Sequence, residues 1–208
     1  MEASLRAQVR DPDTALELFA ASSPSGRALS EAILSSTRLL VLDDVFMRAT
    51  DRWFRWTPRD VRRERDGPSL DCAGLAPATR ILAELGPRQD EESFHRSWVD
   101  ATRDIHLATA PVFGILSVRD STSKEHLIEA GRLWQRLHLE ATLHGVAMQP
   151  LDQWLEHADR ARQLGAPVPS LGMGLASGFA PVMMFRAGTA LRPARPSARR
   201  LLDDVLLA

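Results

Sequence analysis

The residues of this chain that could do chemistry are scattered rather than gathered in one short motif. His126, His138 and His144 fall within one helical stretch, but the six-residue step from His138 to His144 turns them onto different faces, so they do not form a metal-ligand set. His138 stands one turn from Trp134 on the main apolar face, which reads as a core histidine rather than an acid or base. Glu129, Arg132, Arg136 and Glu140 have the spacing of surface ion pairs. The run Gly172-Met173-Gly174-Leu175-Ala176-Ser177-Gly178 looks superficially like a dinucleotide fingerprint, yet no strand precedes it and no long helix follows, so it reads as a loop. Arg195, Arg199 and Arg200 lie in a tail where two readings stay open: a solvated charge run, or bidentate recognition of phosphate. None of these residues takes a catalytic label, and no metal is expected.

Composition narrows the function classes. A chain of 208 residues, 44% hydrophobic and 25% charged, can bury a core, and its net charge of -1 offers no electrostatic case for nucleic acid. Lys124 is the only lysine and tyrosine is absent, a bias that fits a GC-rich coding sequence. Cys72 is the only cysteine, so an intrachain disulfide and a thiolate cluster are excluded, and its setting among small residues reads as packing. The N-terminus lacks a basic segment followed by an apolar core, and no apolar run nears the roughly 18 residues of a membrane span. A soluble, cytoplasmic protein with no membrane partner is expected.

The elements that must position these residues follow from periodicity. Residues 1–27 read as a short helical or irregular lead-in, broken by Pro12 and a Ser/Pro/Gly loop. Helical spacing runs from Leu29 to about Trp56, with Asp43 or Asp44 able to cap a second helix, and Pro58 ends it. The charged run Arg59 to Asp66 reads as a solvated connector, and 70–88 as a loop with one short helix. A helix over about 91–109 stops at Pro111, and Val112–Val118 reads as a buried strand. Asp120 or Ser121 should cap a long helix over roughly 121–144, apolar on two strips: Leu127, Ala130, Gly131, Leu133, Trp134, Leu137 and Ala141 on one, Ile128, Leu139 and Leu143 on the other. One strip could be a subunit interface. Gly145 is a left-handed helix stop, Val146–Gln149 a short extended segment, and Asp152 a cap for a helix over 153–164. A loosely anchored loop over 165–179 then leads to a strand at 181–187 and a proline-stiffened basic tail. The order suits an α+β architecture with a mixed sheet; an all-helical protein, with 112–118 and 181–187 as buried helix segments, is the competing reading.

The run Ala130-Gly131-Arg132 through Trp134-Gln135-Arg136-Leu137-His138-Leu139, then Ala141-Thr142, Gly145 and Ala147-Met148-Gln149-Pro150-Leu151 resembles the second half of the Acg-type, FMN-binding branch of the nitroreductase superfamily. The likeness is strongest from about Trp98 onward, with weaker support in Trp53-Phe54-Arg55-Trp56 and Asp66-Gly67. It implies a nitroreductase-like α+β fold, with a mixed β-sheet flanked by helices and an extended C-terminal tail. Residues 1–69 would be a helical lead-in and connector and 70–208 the nitroreductase-like domain. The resemblance implies FMN as cofactor, with NAD(P)H as electron donor, and a small-molecule substrate. Gly145, Val146, Ala147, Met148 and Gln149 would contact the flavin ring, and Arg199 and Arg200 its phosphate. The family's Asn-Thr-Gln-Pro-Trp anchoring motif and early arginine pair are missing, and Asp152 stands where the family has Asn. A homodimer, or a heterodimer with a nitroreductase-like partner supplying the missing half, is therefore expected. A non-catalytic flavin-sequestering or partner-binding protein of the same fold is the alternative.

Overall fold

The computed structural model describes residues 2–70, 77–86, 90–191 and 197–206; Cys72 and Arg195 lie outside them. The chain divides into two compact units: Met1–Leu39 with Thr102–Leu191, and Leu40–Ala101 with Arg192–Ala208.

The first unit is built on a four-stranded sheet of β1 (Thr14–Ala20), β2 (Val112–Val118), β3 (Ala147–Pro150) and β4 (Ala180–Gly188), in the spatial order β1-β2-β4-β3. All three pairings are antiparallel, where the sequence pattern suggested a mixed sheet. Residues 112–118 and 181–187 are thus strands, which removes the all-helical reading. The lead-in expected over 1–27 is also corrected: after α1 (Glu2–Arg6), β1 pairs along its whole length with β2, from Thr14↔Val118 to Ala20↔Val112. Its signal, Leu16 and Leu18 alternating about Glu17, was masked by the breakers on either side.

Alternation along β2 and β4 sends successive side chains to opposite faces. Phe113, Ile115 and Met184 pack on Leu29 and Ile33 of α2 (Pro24–Leu40) and on Leu151, Trp154 and Ala158 at α8 (Gln153–Gln163). On the other face Leu116, Phe185, Ala187 and Met148 meet Leu5 of α1 and Leu133, Leu137 and Ala141 of α7 (Lys124–Leu143). Both faces are covered. Gly114 of β2 lies opposite Phe185, and a Cβ there would fall 2.1 Å from the ring, so only glycine lets Phe185 lie flat on the sheet. Of the two apolar strips on α7, the first is buried at Ala130, Leu133, Leu137 and Ala141, whereas its Leu127 and Gly131 are exposed. Ile128, Leu139 and Leu143 of the second are 57%, 58% and 82% exposed.

Helix ends correct several expectations. Ser123, not Asp120 or Ser121, caps α7 by accepting from His126 N; Asp120 instead accepts from Thr122 N. Asp152 stands at the start of α8 but makes no capping bond, for a reason given below. The loop after α8 is held to the core by Leu171, 7% exposed, and by Trp154 Nε1, which donates to Ser170 O at 3.3 Å. The helix expected over 91–109 is α6 (Glu91–Ala101) followed by a π-helical stretch, Thr102–Leu107.

In the second unit Asp43 caps α3 (Asp44–Trp53), accepting from Val45 N and Phe46 N. The connector expected after Pro58 is corrected to a helix, α4 (Pro58–Glu64): proline takes its first position, where no N–H is needed, and Thr57 with Asp60 forms a reciprocal capping box. Arg65 ends α4 in the left-handed conformation, φ 55°. The short helix expected within 70–88 is α5 (Pro77–Leu85). Phe46, Phe54, Trp56, Phe94 and Trp98 form a chain of ring contacts with centroids 4.5–6.4 Å apart.

Candidate functional site

The segment Gly145–Gln149 is positioned by the end of α7. Gly145 takes φ +68°, Gly145 N donates to Thr142 O at 3.0 Å, and Val146 N to Ala141 O at 2.9 Å. These two bonds make a Schellman motif, which turns the chain from helix into edge strand in two residues. β3 then pairs with β4 on one side only. Leu151 N donates to Met184 O at 2.8 Å, so bonding positions alternate back through Gln149 and Ala147, and Met148 turns its main-chain groups outward. The Met148 carbonyl meets His138 Nε2 at 3.4 Å. His138 is exposed and stacks on Trp134 at 5.3 Å, which corrects the core placement expected for it: the ring lies at the margin of the apolar face, beside the open edge of β3.

Gln149 and Arg186 face each other across β3 and β4, and Arg186 Nε donates to Gln149 Oε1 at 2.7 Å. Arg186 Nη1 donates further to Ile105 O, His106 O and Thr109 Oγ1 at 3.0, 3.1 and 3.1 Å. The half-buried guanidinium, with no carboxylate in ion-pair range among the described residues, thus ties β3 to the end of the π-helical stretch; burial lowers its pKa. His106 is 9% exposed and neither ring nitrogen has a hydrogen-bond partner. Burial, with the Arg186 charge adding to it, pulls the His106 pKa down to about 4.

Asp152 sits where β3 turns away into α8. Its Oδ1 accepts Met184 N at 2.6 Å, taking the place of the strand carbonyl that β3 no longer supplies. Burial pushes its pKa up to about 6, against the lowering effect of that bond.

The other two expected residues, Arg199 and Arg200, belong to the second unit, and Gly145–Gln149 to the first. Arg199 donates to Ser197 Oγ, and Arg200 Nη2 to Asp66 Oδ2 at 2.6 Å. Asp66 also accepts from Arg55 Nε and Nη2 at 3.0 and 2.7 Å, and the Arg55 and then the Arg200 hydrogen bonds hold its carboxyl below the usual range. A cleft of about 520 Å³ lies here, lined by Arg62, Arg63, Arg65 and Arg200 with Glu64, Asp66, Leu201 and Asp204.

Sequence reasoning missed Arg186, Asp66, Arg62 and Arg65. Arg186 carried a signal, a single charge inside an apolar strand; the others were hidden in a charge run. Of the expected surface pairs, Arg132 binds Glu129, whereas Arg136 Nε donates to Gln8 O at 3.3 Å. No group of three or more His, Cys, Asp or Glu suited to a metal occurs among the described residues, and none of their helices is long and apolar enough to cross a membrane.

No family model and no curated protein matches the chain. Solved structures do. The FMN-dependent nitroreductase NfnB from Mycobacterium smegmatis, determined in complex with NADPH, is similar over 100% of this chain and 88% of its own, at 17% identity and a TM-score of 0.55. The FMN and NADPH-dependent nitroreductase NfnB from Sphigopyxis sp. strain HMH is similar over 100% of this chain and 87% of its own, at 17% identity and a TM-score of 0.56. Identity this low speaks to architecture alone: this is an α+β chain with the fold of the FMN-dependent nitroreductases.

Proposed function

We propose that this chain is an FMN-dependent oxidoreductase of nitroreductase type, of the Acg-like branch, with NAD(P)H as electron donor and a small molecule as acceptor. The observation that carries the reading is that the likeness to two FMN-dependent nitroreductases runs over the entire chain and nearly nine-tenths of theirs. A Cβ at Gly145 would meet nothing within 4 Å, which leaves room beside that residue for a ring, and the arginine cleft suits a phosphate. Bound FMN would supply hydride and single-electron transfer. In the first unit Gly145–Gln149 would lie against the ring, with Arg186 holding the Gln149 side-chain carbonyl and leaving its Nε2 donors to a ligand; Arg199 and Arg200, in the second unit, are the residues that the resemblance assigns to phosphate.

The exposed strip of Ile128, Leu139 and Leu143 on α7 supports assembly as a homodimer or with a nitroreductase-like partner. The single cysteine suits the reducing cytoplasm. A second reading, a non-catalytic flavin-sequestering or partner-binding protein, draws on the internal pairing of Gln149 with Arg186 and of Arg200 with Asp66.

The test is to purify the protein without added cofactor and record its visible spectrum and its mass in solution. A flavin band near one per chain with a dimer mass is expected, bleached by NADH or NADPH. A flavin that neither nicotinamide reduces leaves the sequestering reading. A protein that stays colourless with excess FMN, alone and with a co-expressed partner, rejects both.

A further inference from the structure

Within the second unit, residues of α3 and α6 together with Trp56 line a cavity of about 280 Å³. The Trp56 and Phe94 rings stand 4.9 Å apart and are inclined at 69°, so they make two walls of a corner rather than a stack. Trp56 Nε1 donates to Asp51 Oδ1 at 3.0 Å, which fixes one carboxylate at the edge of the indole. On the other side the His95 ring lies 6.3 Å from that of Phe94, and His95 Nε2 is 3.9 Å from Glu91 Oε1, one turn earlier on α6. Asp51, Trp56, Phe94, His95 and Glu91 thus form one unbroken series of near neighbours around the cavity, and Met47, 3% exposed, lines it as well.

His95 Nε2 is buried and has no hydrogen-bond partner among the described residues. The 3.9 Å to Glu91 is too long for a hydrogen bond between the two, yet a donor set between them would lie within about 3 Å of each. An ammonium carries three N–H donors and serves both at once, and its charge is attracted by the faces of the neighbouring rings. An anion would instead meet two carboxylates, which outnumber Arg48, the one arginine of the lining. The volume stands at the small end of ligand sites, which span roughly 300–1,000 Å³, and so admits one or two fused rings with a short side arm. Packing of α3 on α6 accounts for the ring contacts but not for an orphaned ring nitrogen beside a carboxylate.

We infer that this cavity binds a small organic cation, an amine carried on an aromatic ring, with the ring in the corner of Trp56 and Phe94 and the ammonium held by Glu91 and His95 Nε2. Asp51, fixed by the indole N–H, adds a second negative charge to the same wall. None of these residues is one that the flavin reading uses, so the inference stands or falls independently of it.

The experiment measures, by calorimetry on the full chain, binding of four probes: tryptamine, its neutral counterpart tryptophol, its anionic counterpart indole-3-propionate, and n-butylamine, an amine without a ring. The variants are Glu91→Gln and Asp51→Asn, the second of which keeps an acceptor for Trp56 Nε1. Glu92→Gln, the next residue of α6, exposed and outside the lining, controls for net charge. Circular dichroism verifies folding; if Asp51→Asn misfolds, Glu91→Gln, at a side chain 72% exposed, carries the test by itself. The natural protein should bind tryptamine roughly tenfold or more tightly than tryptophol and n-butylamine, and indole-3-propionate least. Glu91→Gln and Asp51→Asn should each weaken tryptamine about threefold to tenfold and leave tryptophol unchanged, with Glu92→Gln like the natural protein. Equal affinity for tryptamine and tryptophol overturns the inference, because the cavity then reads only the ring; equal affinity for tryptamine and n-butylamine overturns it because the rings are then idle. Preference for indole-3-propionate overturns it in favour of Arg48, and so does a loss of tryptamine binding in Glu92→Gln as large as in Glu91→Gln, which makes the effect one of net charge. Failure of the natural protein to bind tryptamine overturns it outright, and none of these results bears on the flavin reading.

Discussion

Replacing His106 by leucine should remove an acid sensitivity built into the first unit. The free imidazole takes its proton near 6.5, whereas burial beside Arg186 moves the folded pKa down to about 4. Above 6.5 both folded and unfolded chains carry a neutral ring and His106 adds no pH dependence. As pH falls from 6.5 towards 4 the unfolded chain binds a proton that the folded one refuses, so stability is lost across that window, by roughly 1.4 kcal/mol per pH unit and about 3 kcal/mol in all. Asp152 acts with the opposite sign: its folded pKa, about 6 against 3.8, means stability is gained as pH falls through the same range. Glu156, which burial and then the neighbouring Asp152 charge push up to about 7, adds to that gain, so in the natural protein the two carboxyls outweigh the histidine and mask its loss. The difference between it and His106→Leu isolates the histidine, because Asp152 and Glu156 are common to both. At about pH 7.5 the variant should match or exceed the natural protein in urea, since leucine replaces a ring whose two nitrogens have no partner. By about pH 4.5 its advantage should have grown by on the order of 2–3 kcal/mol. A difference that stays flat within about 0.5 kcal/mol between those pH values refutes the reasoning, as does a His106 imidazole that titrates by NMR near its ordinary value.

Substitutions at three further positions probe the frame around the site. Gly114→Ala would drive a methyl group into the Phe185 ring and should cost about 3 kcal/mol in urea unfolding, largely recovered in the double variant Gly114→Ala/Phe185→Leu; recovery failing in that background would place the clash elsewhere. Gly145→Ala, where the space is open and only the positive φ opposes a side chain, should lower stability by about 1 kcal/mol, and Gly145→Asn by less, read as thermal midpoints. Asp152→Asn keeps a carbonyl acceptor for Met184 N and sheds a half-buried charge, so it should be as stable as the natural protein or more so above pH 6. Asp152→Ala leaves that N–H without its acceptor and should lose about 1–2 kcal/mol; equal effects of the two would show that the bond is idle.

The elements legible in the sequence were those whose partners are local. β2 and β4 are apolar runs bounded by turn residues, α7 repeats its buried residues every three or four positions, and Gly145 stops it, all of which a window of the chain contains. β1 was not legible, because its strand character comes from pairing with β2 nearly a hundred residues away, and seven residues between breakers look like lead-in. The π-helical stretch was hidden for the same reason: helical apolar spacing continues through it, and what holds its carbonyls is Arg186, remote in the chain. Asp152 shows how a correct position can carry a wrong role. It does stand before a helix, but the N–H it satisfies is on β4, since β3 leaves the ladder one residue after Pro150.

The charged residues of the candidate site obey one physical rule that a sequence does not display. An arginine read alone is a surface cation; its meaning depends on whether acids have already claimed it. Arg132 is claimed by Glu129 within its own helix, and nothing further follows from it. Arg186 is claimed by neutral oxygens, so its charge stays uncompensated and is felt by His106 and spent in fixing Gln149 on the open edge of the sheet. Arg200 is shared through Asp66 with Arg55, which orients it, while Arg62 and Arg65 line the same cleft outside any ion pair among the described residues. The same composition that gave a net charge of -1 thus contains two local surpluses of positive charge, one in each unit, around Arg186 and along the cleft that Arg62, Arg63, Arg65 and Arg200 line. Neutralising Asp66 tests that account from the acid side. Asp66→Asn should leave the fold in place while weakening retention of a phosphorylated ligand more than of its unphosphorylated counterpart, because Arg200 loses its anchor rather than its charge; equal weakening of the two would show that Asp66 serves the fold alone.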